Sequence, residues 1–220
     1  MKYKLISLSL ILLMSFFLQA QQQIKEISHY IFPEFRSGTV LMKNGTKNSA
    51  MLNYNAAAEE MVFNQNGQVL ALAEIVLSQL DTVFISERKF VILNSRFAEV
   101  INQNGYKLFV QHKCRIIPPG KPAAYGGTSQ ISSTTSYSSW MGDGKVYQLQ
   151  LPDDYKVNPY EVYWLDNGSG FKSFSSISQI MRFYNKKRAL YNKYTKENKV
   201  DFKDQKSITE LIHFMETNAQ

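Results

Sequence analysis

Four Asn-Gly dipeptides, each set between two runs of alternating apolar residues, constrain this chain more than any other feature. Thr39 to Lys43 and Ser49 to Tyr54 flank Asn44-Gly45, and Glu60 to Phe63 and Gln68 to Leu72 flank Asn66-Gly67. Phe97 to Ile101 and Tyr106 to Ile117 flank Asn104-Gly105, and Glu161 to Leu165 and Phe171 to Phe174 flank Asn167-Gly168. Asn-Gly tolerates positive φ at both central positions of a tight turn, which matches the twist of paired antiparallel strands. Thr82 to Ser86 and Lys89 to Leu93 add two strands about a turn at Glu87-Arg88. The expected class is α+β, a mainly antiparallel β-sheet or small barrel followed by a C-terminal basic helical segment.

That helical segment has its own signals. Ser175 or Ser176 stands where a cap belongs, ahead of Ile177, Ile180, Met181 and Tyr184 at i, i+3, i+4 and i+7. The pattern continues more weakly through Leu190, Tyr191 and Tyr194. Ser207-Ile208-Thr209-Glu210 has the form of a capping box, and its helix carries Ile208, Leu211, Ile212 and Met215 on one stripe. Such apolar faces pack on the sheet or on each other. The chain therefore divides into a β-rich domain over residues 21–174 and C-terminal helices over 175–220. Within the first, the prolines from Pro118 to Pro122 and the Ser/Gly-rich run to Ser139 make residues 118–139 a long loop. Its Gly126-Gly127 is not followed by the Gly-Lys-Ser/Thr of a phosphate cradle.

Residues 1–20 read as a signal peptide. Lys2 and Lys4 precede an apolar run from Leu5 to Leu18, and Ala20 offers a small residue for cleavage. The run falls short of the ~20 residues a spanning helix needs. No later segment is apolar enough to span, so no transmembrane segment is expected in the mature chain. The destination is the periplasm, the outer-membrane surface or the medium. Export removes the chain from ATP, NAD and nucleic acid, so no cofactor and no nucleic-acid partner is expected.

An oxidising destination bears on Cys114, the single cysteine. One cysteine forms no intramolecular disulfide. Alternation puts Leu108, Val110, His112, Cys114 and Ile116 on one strand face. The thiol is then either buried and inert or free to cross-link two chains.

Charge is concentrated. Residues 171–206 hold ten Lys/Arg against three acids, a net of +7, whereas residues 21–170 balance thirteen against thirteen. Lys186, Lys187, Arg188, Tyr191 and Lys193 are the candidate binding residues, a cationic run interleaved with tyrosine. After export its acidic partners would be anionic lipid, polysaccharide or an envelope protein. The plain alternative is a solvated helix face.

No catalytic or metal-binding set is legible. His29, His112 and His213 lie far apart, and no Gly-x-Ser-x-Gly occurs. Asp153-Asp154 and Glu59-Glu60 are adjacent pairs, which alternation on a strand would point apart. An enzyme built here would need carboxylates that the fold brings together from distant strands. Tyr155, Tyr160, Tyr163 and Trp164, with Trp140 upstream, form an aromatic cluster suited to a β core or to stacking on a sugar or a protein surface.

Several short runs together resemble small secreted proteins, of no assigned activity, from Bacteroidota-type bacteria. These are the leader end Gln19-Ala20-Gln21, Gly38 to Gly45, Leu52-Asn53-Tyr54, Asp81 to Ser86 with Phe90, the Tyr125-Gly126-Gly127 loop, and Tyr194 to Lys203. The resemblance implies an envelope or secreted location in a Gram-negative cell and supplies no catalytic residues. The expected function is that of an exported, non-catalytic envelope or secreted protein that binds a partner protein or an anionic surface. The alternative is an envelope-polymer hydrolase with fold-assembled carboxylates.

Overall fold

The computed structural model describes residues 29–117, 121–122, 128–129 and 156–218. The leader, most of the 118–139 loop, Trp140, Asp153, Asp154 and Tyr155 lie outside them. The chain order begins β1 (Arg36–Met42), β2 (Lys47–Asn55), β3 (Glu60–Gln65), β4 (Gln68–Ala71), a single helical turn α1 (Glu74–Leu77), β5 (Leu80–Ile85), β6 (Arg88–Leu93), β7 (Arg96–Asn102) and β8 (Lys107–Ile117). Two two-residue strands, β9 (Lys121–Pro122) and β10 (Thr128–Ser129), pair with each other. Then come β11 (Lys156–Asp166), β12 (Lys172–Phe174), α2 (Ile177–Phe183), a 3₁₀ turn (Asn185–Lys187), α3 (Arg188–Glu197) and α4 (Gln205–Thr217).

Ten strands form one sheet in the order β12-β11-β8-β7-β6-β5-β1-β2-β3-β4, every neighbour antiparallel. Among the described residues the ladder ends at β4 and β12 without joining them, so this sheet is open. All four Asn-Gly hairpins form, but only one has the expected tight turn. Asn66 (φ 55°) and Gly67 (φ 84°) both take positive φ, whereas at the other three sites only the glycine does. Those three sit in loops of four or five residues. At Asn44 the side chain instead accepts the Thr46 N–H at 3.0 Å and stiffens the longer loop. The β5–β6 turn lies at Ser86-Glu87 rather than Glu87-Arg88, because Ile85 pairs with Arg88. Ser86 takes φ 54° to close it.

The sheet is strongly curled. Phe97 on β7 and Tyr54 on β2 are four strand spacings apart along the ladder, about 19 Å if the sheet were flat. Their ring centroids are 6.3 Å apart. Glu59, in the β2–β3 turn, ties back to Lys113 of β8 with both carboxylate oxygens at 2.9 Å from Nζ. The concave side closes over an apolar cluster that includes Leu52, Tyr54, Met61, Val83, Ile85, Phe90, Phe97 and Cys114. Gly38 lets the strands approach there: a Cβ at this position would lie 2.5 Å from the Phe84 carbonyl oxygen and 2.7 Å from Leu52 Cδ1.

A second cluster joins Leu108, Val110, Tyr163, Leu165 and Phe174 of the sheet to Ile180, Tyr184, Tyr191, Ile208, Leu211, Ile212 and Met215 of the helices. The expected stripe of α4 is fully buried; Met181 of α2 is 37% exposed and leaves its stripe. Neither expected cap forms in its expected way. α2 starts without a serine side-chain cap, and Gln179 Oε1 instead accepts the Ser175 N–H at 2.6 Å. α4 is capped by Asp204, which accepts from the Lys206 N–H, so the Ser207–Glu210 box lies inside the helix. Ser207 Oγ accepts the Asp201 N–H from the preceding link, and Glu210 faces Lys206 at 3.8 Å. No helix among the described residues is long and apolar enough to cross a membrane.

Candidate functional site

The strand register assembles a row of polar groups that the sequence kept apart. On β7, Glu99 lies opposite Phe90 of β6 and Val110 of β8. Arg88 and His112 sit two residues from those positions and so reach Glu99 diagonally. Glu161 of β11 lies directly opposite His112, with Tyr163 two residues further along. Four adjacent strands thus contribute one row on one face. Along β8 the row divides the two apolar clusters, with Val110 on one side and Cys114 on the other.

The row is tightly bonded. Arg88 donates through Nε and Nη2 to both Glu99 oxygens at 2.6 Å, a bidentate pair. His112 Nε2 is 2.8 Å from Glu99 Oε2, and its Nδ1 is 3.4 Å from Glu161 Oε1. The Tyr163 hydroxyl donates to the other Glu161 oxygen. From α4, Gln205 Nε2 donates to Glu99 Oε2 at 3.3 Å, so the helices are bonded to the row as well as packed beside it. The Arg88 guanidinium stacks over the rings of Phe32 and Phe90, at 5.2 and 5.5 Å from their centroids.

The protonation states follow from these neighbours. Burial opposes the Glu99 carboxylate, but hydrogen bonds from His112 and Arg88 and their positive charge outweigh it and hold its pKa at about 2. Burial also opposes the imidazolium of His112, yet hydrogen bonds to Glu161 and Glu99 raise its pKa above the ordinary 6.5. Burial, then the adjacent Glu161, push the Tyr163 hydroxyl upward. Arg88 Nη2 also lies 2.9 Å from His112 Nε2, so guanidinium and imidazole share the Oε2 edge of Glu99. Chemically this is a polar staple between strands, with the imidazole seated between the two carboxylates.

The sequence-derived binding residues lie elsewhere, on the helices. Lys186 and Lys187 form the 3₁₀ turn and Arg188 opens α3. Lys186, Arg188 and Lys193 are exposed and Lys187 is half-buried. Lys193 and Lys196, three residues apart, are neighbours on one helix face. Among the described residues none of these cations has a carboxylate within ion-pair distance. Tyr191 does not join them. Its ring is only 7% exposed and belongs to the helix–sheet cluster, on the side of the helix where Leu190 and Tyr194 also pack.

Of the other candidates, Cys114 is a buried free thiol, 6% exposed, whose pKa is raised by burial. Tyr163 is core, Tyr160 lies under the Arg115 guanidinium at 5.0 Å, and Trp164 is half-buried. Among the described residues no three His, Cys, Asp or Glu side chains converge as a metal site. No known protein family matches the chain, and neither a curated protein nor a solved structure shows significant similarity to it.

Proposed function

We propose that this chain is an exported, non-catalytic envelope or secreted protein whose basic helical segment docks on an anionic surface. The observation that carries the reading is the set of cations at Lys186, Lys187, Arg188 and Lys193, beside Lys196, Lys199 and Lys203. They stand at the surface without acidic partners among the described residues, while the apolar sides of the same helices are buried. Cations left unpaired on a rigid support attract an anionic surface at low salt and release it at high salt. The leader reading places that surface in the envelope, and the resemblance to secreted Bacteroidota-type proteins agrees with it.

The test is co-sedimentation of the mature chain with anionic vesicles and with an acidic polysaccharide at low and high salt. Retention that disappears with salt, and is lost in the Lys186→Gln, Lys187→Gln, Arg188→Gln, Lys193→Gln variant, supports docking through these residues. Salt-independent retention, or none at low salt, overturns it.

One observation favours the hydrolase reading: Glu99 and Glu161 arrive from separate strands and meet about His112. Against it, the imidazole occupies the space where a glycosidic bond or water would have to sit, and Arg88 takes both oxygens of Glu99. Hydrolysis of an envelope polymer that is abolished by Glu161→Gln would establish that reading instead.

A further inference from the structure

A shallow cleft of about 500 Å³ runs along the outer edge of β12, lined among others by Trp164, Phe171, Lys172, Gln179, Arg182 and Phe183. Its size falls within the range of about 300–1,000 Å³ usual for small-molecule sites. Its aromatic walls are braced from behind. The Trp164 indole N–H donates to Gln111 Oε1 at 2.9 Å, and Gln111, 4% exposed, donates in turn to the Leu93 carbonyl at 3.2 Å. The indole's polar edge is therefore satisfied inward. Phe171 packs on Phe109 with centroids 5.9 Å apart, and its loop is held by Asp166 Oδ1, which accepts the N–H groups of Gly168 and Gly170. Phe183 meets Phe174 edge-on at 5.1 Å. Yet Phe171 remains 39% exposed.

The charge that the described residues bring to the cleft has one sign. Among the described residues Lys172 and Arg182 line it, no acid does, and neither cation has an ion-pair partner. Braced rings flanked by cations and an amide match a sugar that carries a carboxylate. Such a sugar would lay its C–H face on an aromatic ring, set its carboxylate against Lys172 or Arg182, and take the Gln179 Nε2–H donors on its hydroxyls, Gln179 Oε1 being held by Ser175. A phospholipid would need apolar depth for its chains, and this cleft is shallow and open. We infer that the β12 edge cleft is a binding site for an acidic saccharide of the uronic-acid type. The inference deepens the proposed function by naming a ligand class, and it rests on that reading only for the compartment in which the ligand is met.

The chain has two tryptophans, Trp140 and Trp164, so Trp140→Phe leaves Trp164 as the sole indole reporter. In that background, titration with oligogalacturonate is expected to change Trp164 emission saturably, and a neutral oligosaccharide of equal length is expected to leave it unchanged. Lys172→Ala with Arg182→Ala should weaken the affinity about tenfold, and Phe171→Ala about fivefold. Unfolding curves establish that each variant is folded, and Lys172→Gln with Arg182→Gln gives a second route if the alanine pair is not. The four-glutamine variant of residues 186 to 193 should keep the oligosaccharide affinity, which separates failure of the docking reading from failure of this one. Equal response to the neutral sugar, affinity unchanged in the cleft variants, or a response only to mixed phosphatidylcholine–phosphatidylglycerol vesicles would overturn the assignment.

Discussion

Glu99 and His112 shift in opposite directions on folding, and this gives the row a pH signature. The pKa of Glu99 drops from its ordinary 4.5 to about 2, so its contribution to stability is fully present above pH 4.5 and is lost as pH falls toward 2. The pKa of His112 rises above 6.5, so its contribution is fully present below pH 6.5 and is lost as pH climbs through the raised value. Both act together between about pH 4.5 and 6.5. Urea midpoints measured across pH should therefore peak in that window for these two groups, and His112→Gln should flatten the alkaline limb. Glu99→Gln should cost about 3 kcal/mol at pH 6, because Arg88 and His112 are left facing a neutral amide. An unchanged midpoint in Glu99→Gln would mean that the row does not stabilise the fold. The row was half legible in the sequence. Alternation places His112 among Leu108, Val110, Cys114 and Ile116, and Glu99 between Phe97 and Ile101, so each is a polar residue at an inward position. Which strands would stand beside each other was not legible, and only the order β6-β7-β8-β11 turns those residues into one network. Arg88 in particular reads as a turn residue until the pairing of Ile85 with Arg88 moves it into the strand.

At the scale of elements, the hairpins were readable and their loops were not. Asn-Gly marks where the chain reverses, but loop length depends on where pairing stops, and that depends on packing several residues away. Asn66-Gly67 alone closes tightly, so Gly67→Ala, forced to hold φ 84°, should lose about 1 kcal/mol. Gly38→Ala should cost about 2 kcal/mol, through a clash with the Phe84 carbonyl and Leu52 rather than through backbone strain. Thermal unfolding of the two variants checks both values. The helices follow the same division. The stripe of Ile208, Leu211, Ile212 and Met215 follows from 3.6-residue periodicity and is buried, so Leu211→Ala should cost about 3 kcal/mol in chemical denaturation. The caps differ because a side chain near a helix start has several orphan donors within reach. Tertiary contacts decide among them: Asp204 takes the capping role at α4 while Ser207 bonds back to the preceding link.

For the whole molecule, the charge balance separates scaffold from surface. Residues 21–170 carry no net charge, and the excess of basic residues falls on 171–206, from β12 into the first turn of α4. Replacing Lys186, Lys187, Arg188 and Lys193 by glutamine should leave the unfolding free energy within about 0.5 kcal/mol, since three of them are exposed, Lys187 is half-buried, and none forms an ion pair among the described residues. The same variant should lose its anionic-surface retention. A large loss of stability in it would recast those residues as structural. Docking on an envelope surface and binding of an acidic saccharide at the β12 edge both take export as their premise. Amino-terminal sequencing of the protein recovered from the producing cell tests that premise most directly. The account predicts a chain that begins at Gln21 in the envelope or medium; a chain in the cytosol that still begins at Met1 would contradict it.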